Sequence, residues 1–227
     1  MNLNKNKPFF TICTEVSNRE KTIERTLSSI SNQIFFDYEY IIVNNASSDN
    51  SHDVITSYLE KNKTLSLKTT YVKLEEKLQD IESWNKPLDF ANGSYIVVCE
   101  GDDWFESDHL RLAYEILTKN PKVGMYISLR ADLDNFQGEN ILAEELHGYL
   151  NFSDVFAKLI SFDFIPPPSN VIFKRELNEF RFIYDSENYV YAAEVSLYYE
   201  LLSKNLDVYV NPEALTVNRG LSSYKRG

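Results

Sequence analysis

Three carboxylates, Glu100, Asp102 and Asp103, crowd around Gly101 at the end of the apolar run Tyr95-Ile96-Val97-Val98-Cys99. Acids this close repel one another at neutral pH unless a proton or a cation relieves them. A hard divalent ion such as Mg2+ or Mn2+ does so through oxygen ligands and keeps open positions for phosphate. Gly101 allows the backbone to turn and to approach a ligand closely. The plainer reading is a solvated acidic turn after a strand. It loses ground if the run belongs to an α/β sheet, because such sheets bind ligands beyond the carboxyl ends of their strands.

The elements that would position these acids can be read from periodicity. Residues 9–13 form a buried apolar run, and the spacing Ser17-x-x-Glu20 predicts a capping box opening a helix, whose apolar stripe is Ile23, Leu27 and Ile30. A second strand at 38–43 leads into Asn44-Asn45-Ala46-Ser47-Ser48-Asp49, followed by a helix carrying Val54, Tyr58 and Leu59. A third strand over 65–72 is expected near an edge, a fourth at 95–99, a helix over 107–119 and a fifth strand over 123–129. Alternating strands and helices predict an α/β fold with a mostly parallel sheet and right-handed crossovers. Polar clusters at 14–18, 44–49 and 100–103 would then converge on one sheet edge. Past about residue 130 the pattern changes: a polar loop to 148, helices over 152–160 and 192–203, an extended Pro166-Pro167-Pro168, and strands at 171–173 and 206–210.

Composition narrows the partners. The chain has 227 residues and a formal net charge of −11, which argues against a nucleic-acid partner. It also means that a phosphate ligand needs a metal or local basic groups, since like charges about 4 Å apart cost roughly 4 kcal/mol at an effective dielectric of 20. Cys13 and Cys99 both fall in buried strands, which predicts free thiols in a reducing compartment. No run reaches membrane-span length and residues 1–8 are polar, so a soluble, cytoplasmic protein with at most peripheral membrane contact is expected. Seven glycines form neither a dinucleotide nor a P-loop fingerprint, and His52, His109 and His147 lack zinc spacing and read as surface or cap residues. Trp84 and Trp104 read as packing that fixes their loops, with stacking on a base or sugar as the alternative.

Five blocks in order resemble family 2 glycosyltransferases of the GT-A fold: Glu15-Val16-Ser17-Asn18-Arg19-Glu20 with Ser29-Ile30-Ser31-Asn32-Gln33; Val43-Asn44-Asn45-Ala46-Ser47-Ser48-Asp49; Asn85 with Ala91-Asn92-Gly93-Ser94-Tyr95-Ile96; Glu100-Gly101-Asp102-Asp103; and Asn120-Pro121 with Val123-Gly124. The likeness is dense over 9–128 and looser over 165–223. It implies a Rossmann-like sheet in one glycosyltransferase domain, with a nucleotide-sugar half over about 9–129 and an acceptor-side half over about 130–227. It also implies a nucleoside-diphosphate sugar as donor and Mn2+ or Mg2+ at Asp102 and Asp103, with Glu100 near the ribose or metal. Thr14, Glu15, Ser17, Asn44, Asn45 and Asn85 would line the donor pocket, and Arg219 would fold over the phosphates. Two departures stand out. Asn44-Asn45 replaces an acidic pair at the base, and Glu15 replaces the usual proline. Glu194 aligns with the family's catalytic base, and the acceptor would be a hydroxyl on a glycan, a lipid-linked sugar or a protein glycan. A nucleotide-sugar or glycan binding module without transfer activity is the alternative.

Overall fold

The computed structural model describes residues 7–132, 148–150, 168–177 and 203–218. Four strands, β1 (Phe10–Val16), β2 (Tyr38–Asn44), β3 (Thr69–Lys73) and β4 (Tyr95–Val98), run parallel in the order β3-β2-β1-β4. The chain winds outward from β1 through β2 to β3 and then returns to β4 on the other side of β1. Winding therefore reverses between β1 and β4, which opens a crevice at the carboxyl ends of these two strands. Beyond β4 the sheet becomes mixed. β8 (Val171–Lys174) is antiparallel to β4 and to β6 (Val123–Asp132), and β9 (Asp207–Asn218) lies parallel to β6. Two short strands, β5 (Trp104–Phe105) and β7 (Gly148–Leu150), pair antiparallel with β9.

Strand alternation separates two apolar layers. Phe10, Ile12, Tyr40, Ile42 and Val97 face one side, where they meet Ile23, Leu27 and Ile30 of α1 (Ile23–Ser31), Ile55 of α2 (Ser51–Lys61) and Leu110, Ala113 and Leu117 of α5 (His109–Lys119). Each fully buried aliphatic side chain here contributes on the order of 1.5–3 kcal/mol. Cys13, Ile41, Val43 and Ile96 face the other side, against Leu88 and Trp84. That side is covered by α4 (Asp80–Asn85) and the 3-10 turn Lys86–Phe90 that follows it. A short α3 (Lys63–Ser66) precedes β3.

β4 is brought against β1 by a close backbone approach at Gly93. A Cβ there would lie 2.5 Å from the Thr11 amide nitrogen, and the Gly93 N–H instead donates to Thr11 Oγ1 at 2.7 Å. Glu39 closes this corner by accepting from Thr11 Oγ1 at 2.6 Å and from the Gly93 N–H at 3.1 Å.

The expected strands and the helices over 23–31, 51–61 and 109–119 are present, with differences that have physical causes. Residues 65–68 are not strand, because α3 and its turn occupy them and β3 starts at Thr69; β3 does end the strand order, as expected of an edge. The Ser17–Glu20 capping box does not form. α1 begins at Ile23 after Thr22, which makes no side-chain cap, and Glu20 is spent on a neighbouring loop. His109 is neither a surface nor a cap residue. It is fully buried and stacked on Phe105 at 4.3 Å, and neither ring nitrogen has a hydrogen-bond partner among the described residues. Burial drives its pKa down to about 3. Cys13 and Cys99 are free and buried, and burial raises both thiols well above their ordinary range. The helices expected over 152–160 and 192–203 lie outside the described residues except for Ser203, as does His147. No helix among the described residues is long and apolar enough to cross a membrane.

Candidate functional site

The loops that leave β1 and β2 are laced together before any ligand is considered. Asn18 adopts a left-handed conformation with φ of 54°, which asparagine tolerates. Its N–H donates to Ser47 Oγ at 3.0 Å, and its Oδ1 accepts from the Ser48 N–H at 2.8 Å. The Arg19 N–H donates to Ser51 Oγ at 2.8 Å, the Glu20 N–H to Asp49 Oδ2 at 3.0 Å, and the Asn50 N–H to Glu20 Oε2 at 3.1 Å. The residues that resemble a cap in sequence thus satisfy partners some thirty positions away.

The acids after β4 form a tight, braced turn. The Asp103 N–H donates to the Glu100 carbonyl at 3.0 Å. Two threonines of the α1 region hold the turn from below: Thr22 Oγ1 donates to the Gly101 carbonyl at 3.0 Å and Thr26 Oγ1 to the Asp103 carbonyl at 2.8 Å. From the far end of the chain, Ser169 Oγ accepts the Glu100 N–H at 2.9 Å. Gly101 sits in a crowded place: a Cβ there would lie 3.2 Å from both the Glu15 carbonyl oxygen and Arg19 Cγ, so these neighbours would have to shift by a few tenths of an ångström.

Held this way, Glu100, Asp102 and Asp103 present oxygens that all lie within 4.8 Å of one another. Burial, and then the negative charges of Asp103 and Asp102, push the Glu100 carboxyl up to about 8, against the opposing pull of Arg19. Arg19 Nε stands 3.4 Å from Asp102 Oδ2. An all-oxygen donor set whose crowding is met only by a proton on Glu100 and by one guanidinium fits a hard divalent cation, which would be held by Asp102 and Asp103 with Glu100 beside them.

A cavity opens next to this turn, at the reversal between β1 and β4. Glu15 and Arg19 line it on one side, Glu100 and Gly101 on another, and Trp84 with Leu88 forms an apolar wall. Burial raises the Glu15 carboxyl, and hydrogen bonds from Asn45 and Ser83 together with the charges of Arg19 and Lys77 oppose that rise.

The other expected pocket residues surround the same sheet edge. Thr14 is buried and accepts from the Tyr40 hydroxyl at 3.1 Å. Ser17 is half-buried at the exit of β1, and Asn85 closes α4 beside Trp84. Asn44 is fully buried; its Nδ2 donates to the Tyr71 hydroxyl at 3.1 Å, and its Oδ1 accepts the Ser47 N–H at 3.0 Å. Asn45 clamps one backbone residue from both sides, donating to the Leu78 carbonyl at 3.1 Å and accepting the Leu78 N–H at 2.7 Å. Glu194 and Arg219 lie outside the described residues. Sequence reasoning gave neither Arg19 nor Ser169 a role at the acids; Arg19 sat inside the supposed cap, and nothing local links Ser169 to Glu100. Trp104 packs rather than lining the cavity, lying under the Arg25 guanidinium at 4.5 Å.

With this geometry in view, comparison with known proteins is informative. An uncharacterised glycosyltransferase of Methanocaldococcus jannaschii is 27% identical over 140 residues, covering 61% of this chain and 46% of that protein. The chain thus spans about half the length of the curated relatives it matches. Among solved structures, S. aureus TarS (residues 1–349) in complex with UDP-GlcNAc superposes with a TM-score of 0.73 at 16% identity, covering 93% of this chain and 59% of that one. The mannosyltransferase PcManGT from Pyrobaculum calidifontis, in complex with GDP-Man and Mn2+, superposes with a TM-score of 0.72 at 22% identity, covering 97% of this chain and 59% of that one. These likenesses establish a GT-A-type sheet. A profile of glycosyl transferase family 2 matches residues 11–181, three quarters of the sequence, and the chain therefore belongs to that family.

Proposed function

We propose that the protein is an inverting, metal-assisted glycosyltransferase that moves a sugar from a nucleoside-diphosphate sugar to a hydroxyl of a glycan, lipid-linked or protein-linked acceptor. The observation that carries this reading is the group of Glu100, Asp102 and Asp103, within 4.8 Å of one another beside the crevice where the sheet reverses its winding. Family membership and the donors bound by the two superposed structures support it.

In this reading Asp102 and Asp103 hold the cation, and Glu100 stands beside them near the ribose. The bound cation supplies Lewis-acid neutralisation of the leaving diphosphate. Arg19, paired with Asp102 and lining the cavity, would add a second positive charge at the phosphates. The acceptor oxygen attacks the anomeric carbon, the carbon–oxygen bond to phosphate breaks with its electron pair going to the diphosphate, and the acceptor proton passes to a carboxylate base. Glu194 is the residue we assign to that base and Arg219 to the phosphate cover, both on the family resemblance alone. The braced turn contributes preorganisation: threonine and serine partners fix the acids before the donor arrives.

The test is release of nucleoside diphosphate from single nucleotide-sugars with Mn2+ present. The expected result is turnover with at least one donor that is lost with EDTA and in Asp102→Ala. Binding without turnover for every donor and acceptor tried would make the chain a binding module instead. A Glu194→Gln variant that retains full transfer would remove Glu194 from the base role.

A further inference from the structure

The end of β2 and the end of β1 divide their polar groups unequally, and this bears on which nucleobase the pocket admits. Asn44 is buried, with its amide committed to Tyr71 and Ser47. Asn45 is equally engaged: it holds the Leu78 backbone through both ends of its amide and also donates to Glu15. One N–H of Asn45 goes to Leu78 and the other to Glu15, and one N–H of the buried Asn44 goes to Tyr71.

Glu15 is different. It is the penultimate residue of β1, on the strand face it shares with Cys13, and it lines the cavity at the sheet reversal. Its carboxylate is steadied by Asn45 and Ser83, with the cations of Arg19 and Lys77 nearby. An ionised carboxylate is purely an acceptor with about four lone-pair directions, so two hydrogen bonds from the protein leave capacity for a ligand donor. The wall beside it is apolar and partly aromatic, formed by Trp84 and Leu88. A flat apolar wall beside one acceptor suits a planar heterocycle whose edge carries an N–H, while Glu100 and Gly101 on another side lead to the acids that would hold a cation for its phosphates.

We propose that Glu15 is the base-specificity residue of the donor site, selecting nucleotides whose base presents a ring N–H (uracil, thymine or guanine) over cytosine and adenine. This rests on the donor-site reading above. Cytosine and adenine offer that carboxylate only an exocyclic amine, with a ring lone pair beside it that opposes the charge. Guanine places an exocyclic amine next to its ring N–H, so it alone offers donors to both carboxylate oxygens. Asn45 acts through Glu15, as the residue that aims it.

Calorimetric titration of the full chain with ADP, CDP, UDP, dTDP and GDP in the presence of Mn2+ tests this directly. A hydrogen bond to a charged acceptor predicts that at least one of UDP, dTDP and GDP binds roughly tenfold or more tighter than both CDP and ADP. In Glu15→Gln, whose amide can turn either an acceptor or a donor to the base, that preference should fall to within about threefold. Equal affinity across the wild-type panel, or tightest binding of CDP or ADP, overturns the role of Glu15 while leaving the donor site intact. An unchanged preference in a Glu15→Gln protein that melts like the wild type also overturns it. No heat with any of the five nucleotides would instead overturn the donor-site reading itself, and this inference with it.

Discussion

Replacing His109 with phenylalanine should make the protein markedly less sensitive to acid, and the size of the effect follows from where the imidazole sits. His109 has no exposed surface and, among the described residues, no partner for either ring nitrogen, and burial alone lowers its pKa to about 3 from an ordinary 6.5. The folded state therefore refuses a proton that the unfolded state accepts anywhere between these two values. Its neutral form supports folding fully above the unfolded pKa, and that support drains away as pH falls toward the folded one. Between about pH 8 and about pH 5 the loss is roughly 2 kcal/mol, from the ratio of unfolded to folded protonation. Glu100 works the other way: its folded carboxyl is raised to about 8, so it keeps a proton that the unfolded state releases and gains stability on acidification. Subtracting His109→Phe from wild type cancels that opposing contribution. Phenylalanine can keep the parallel stack on Phe105 and leaves no unpaired nitrogen. Urea unfolding of both proteins at the two pH values gives the difference directly. If the stability gap between variant and wild type is the same at both, within about 0.5 kcal/mol, His109 is not held neutral by burial and the reasoning is wrong.

Three further outcomes are expected. Gly93→Ala should cost about 3 kcal/mol or more, because its Cβ would meet backbone rather than a movable side chain at 2.5 Å; a melting temperature within a few degrees of wild type would contradict the close packing of β4 on β1. Uptake of Mn2+ near neutral pH should release close to one proton, because Glu100 is largely protonated there without a cation; calorimetry in buffers of different ionisation enthalpy reads this, and the release should vanish in Glu100→Gln. Asn45→Ala should raise donor KM several-fold with a smaller effect on kcat, since it frees Leu78 and unsteadies Glu15; steady-state kinetics that show an unchanged KM would mean the clamp has no bearing on donor binding.

Much of the sheet edge around the acids could be read in the sequence because its signals are local. Apolar runs at β1, β2 and β4 and the stripe of Ile23, Leu27 and Ile30 each report a buried face within one element. The acids 100–103 and their position after a strand needed no tertiary knowledge either. What escaped depends on distant partners. Ser17 and Glu20 have the spacing of a cap, but side chains from 47–51 outcompete the local bonds, so the helix starts later. β5 is two residues long, too short for any period, and exists because β9 lies alongside it. His109 resembles an ordinary polar helix start until Phe105 and Tyr126 close over it. The identity of the residue facing the crevice from β1 was visible, yet the bonds that tie up Asn44 and Asn45 were not, because Tyr71 and Leu78 come from the next strand and the loop beyond it.

β8 reaches its place in the middle of the sheet late in synthesis. It inserts between β4 and β6, and the adjoining Ser169 ties down the Glu100 amide across 69 residues. A nascent chain that has emerged only as far as β6 would carry an open edge along β4 and an untethered acidic turn. Such an edge is a template for pairing with other chains. Translation that stalls before β8 should therefore yield material prone to aggregate, and any holdase that serves this protein would find its target in that interval.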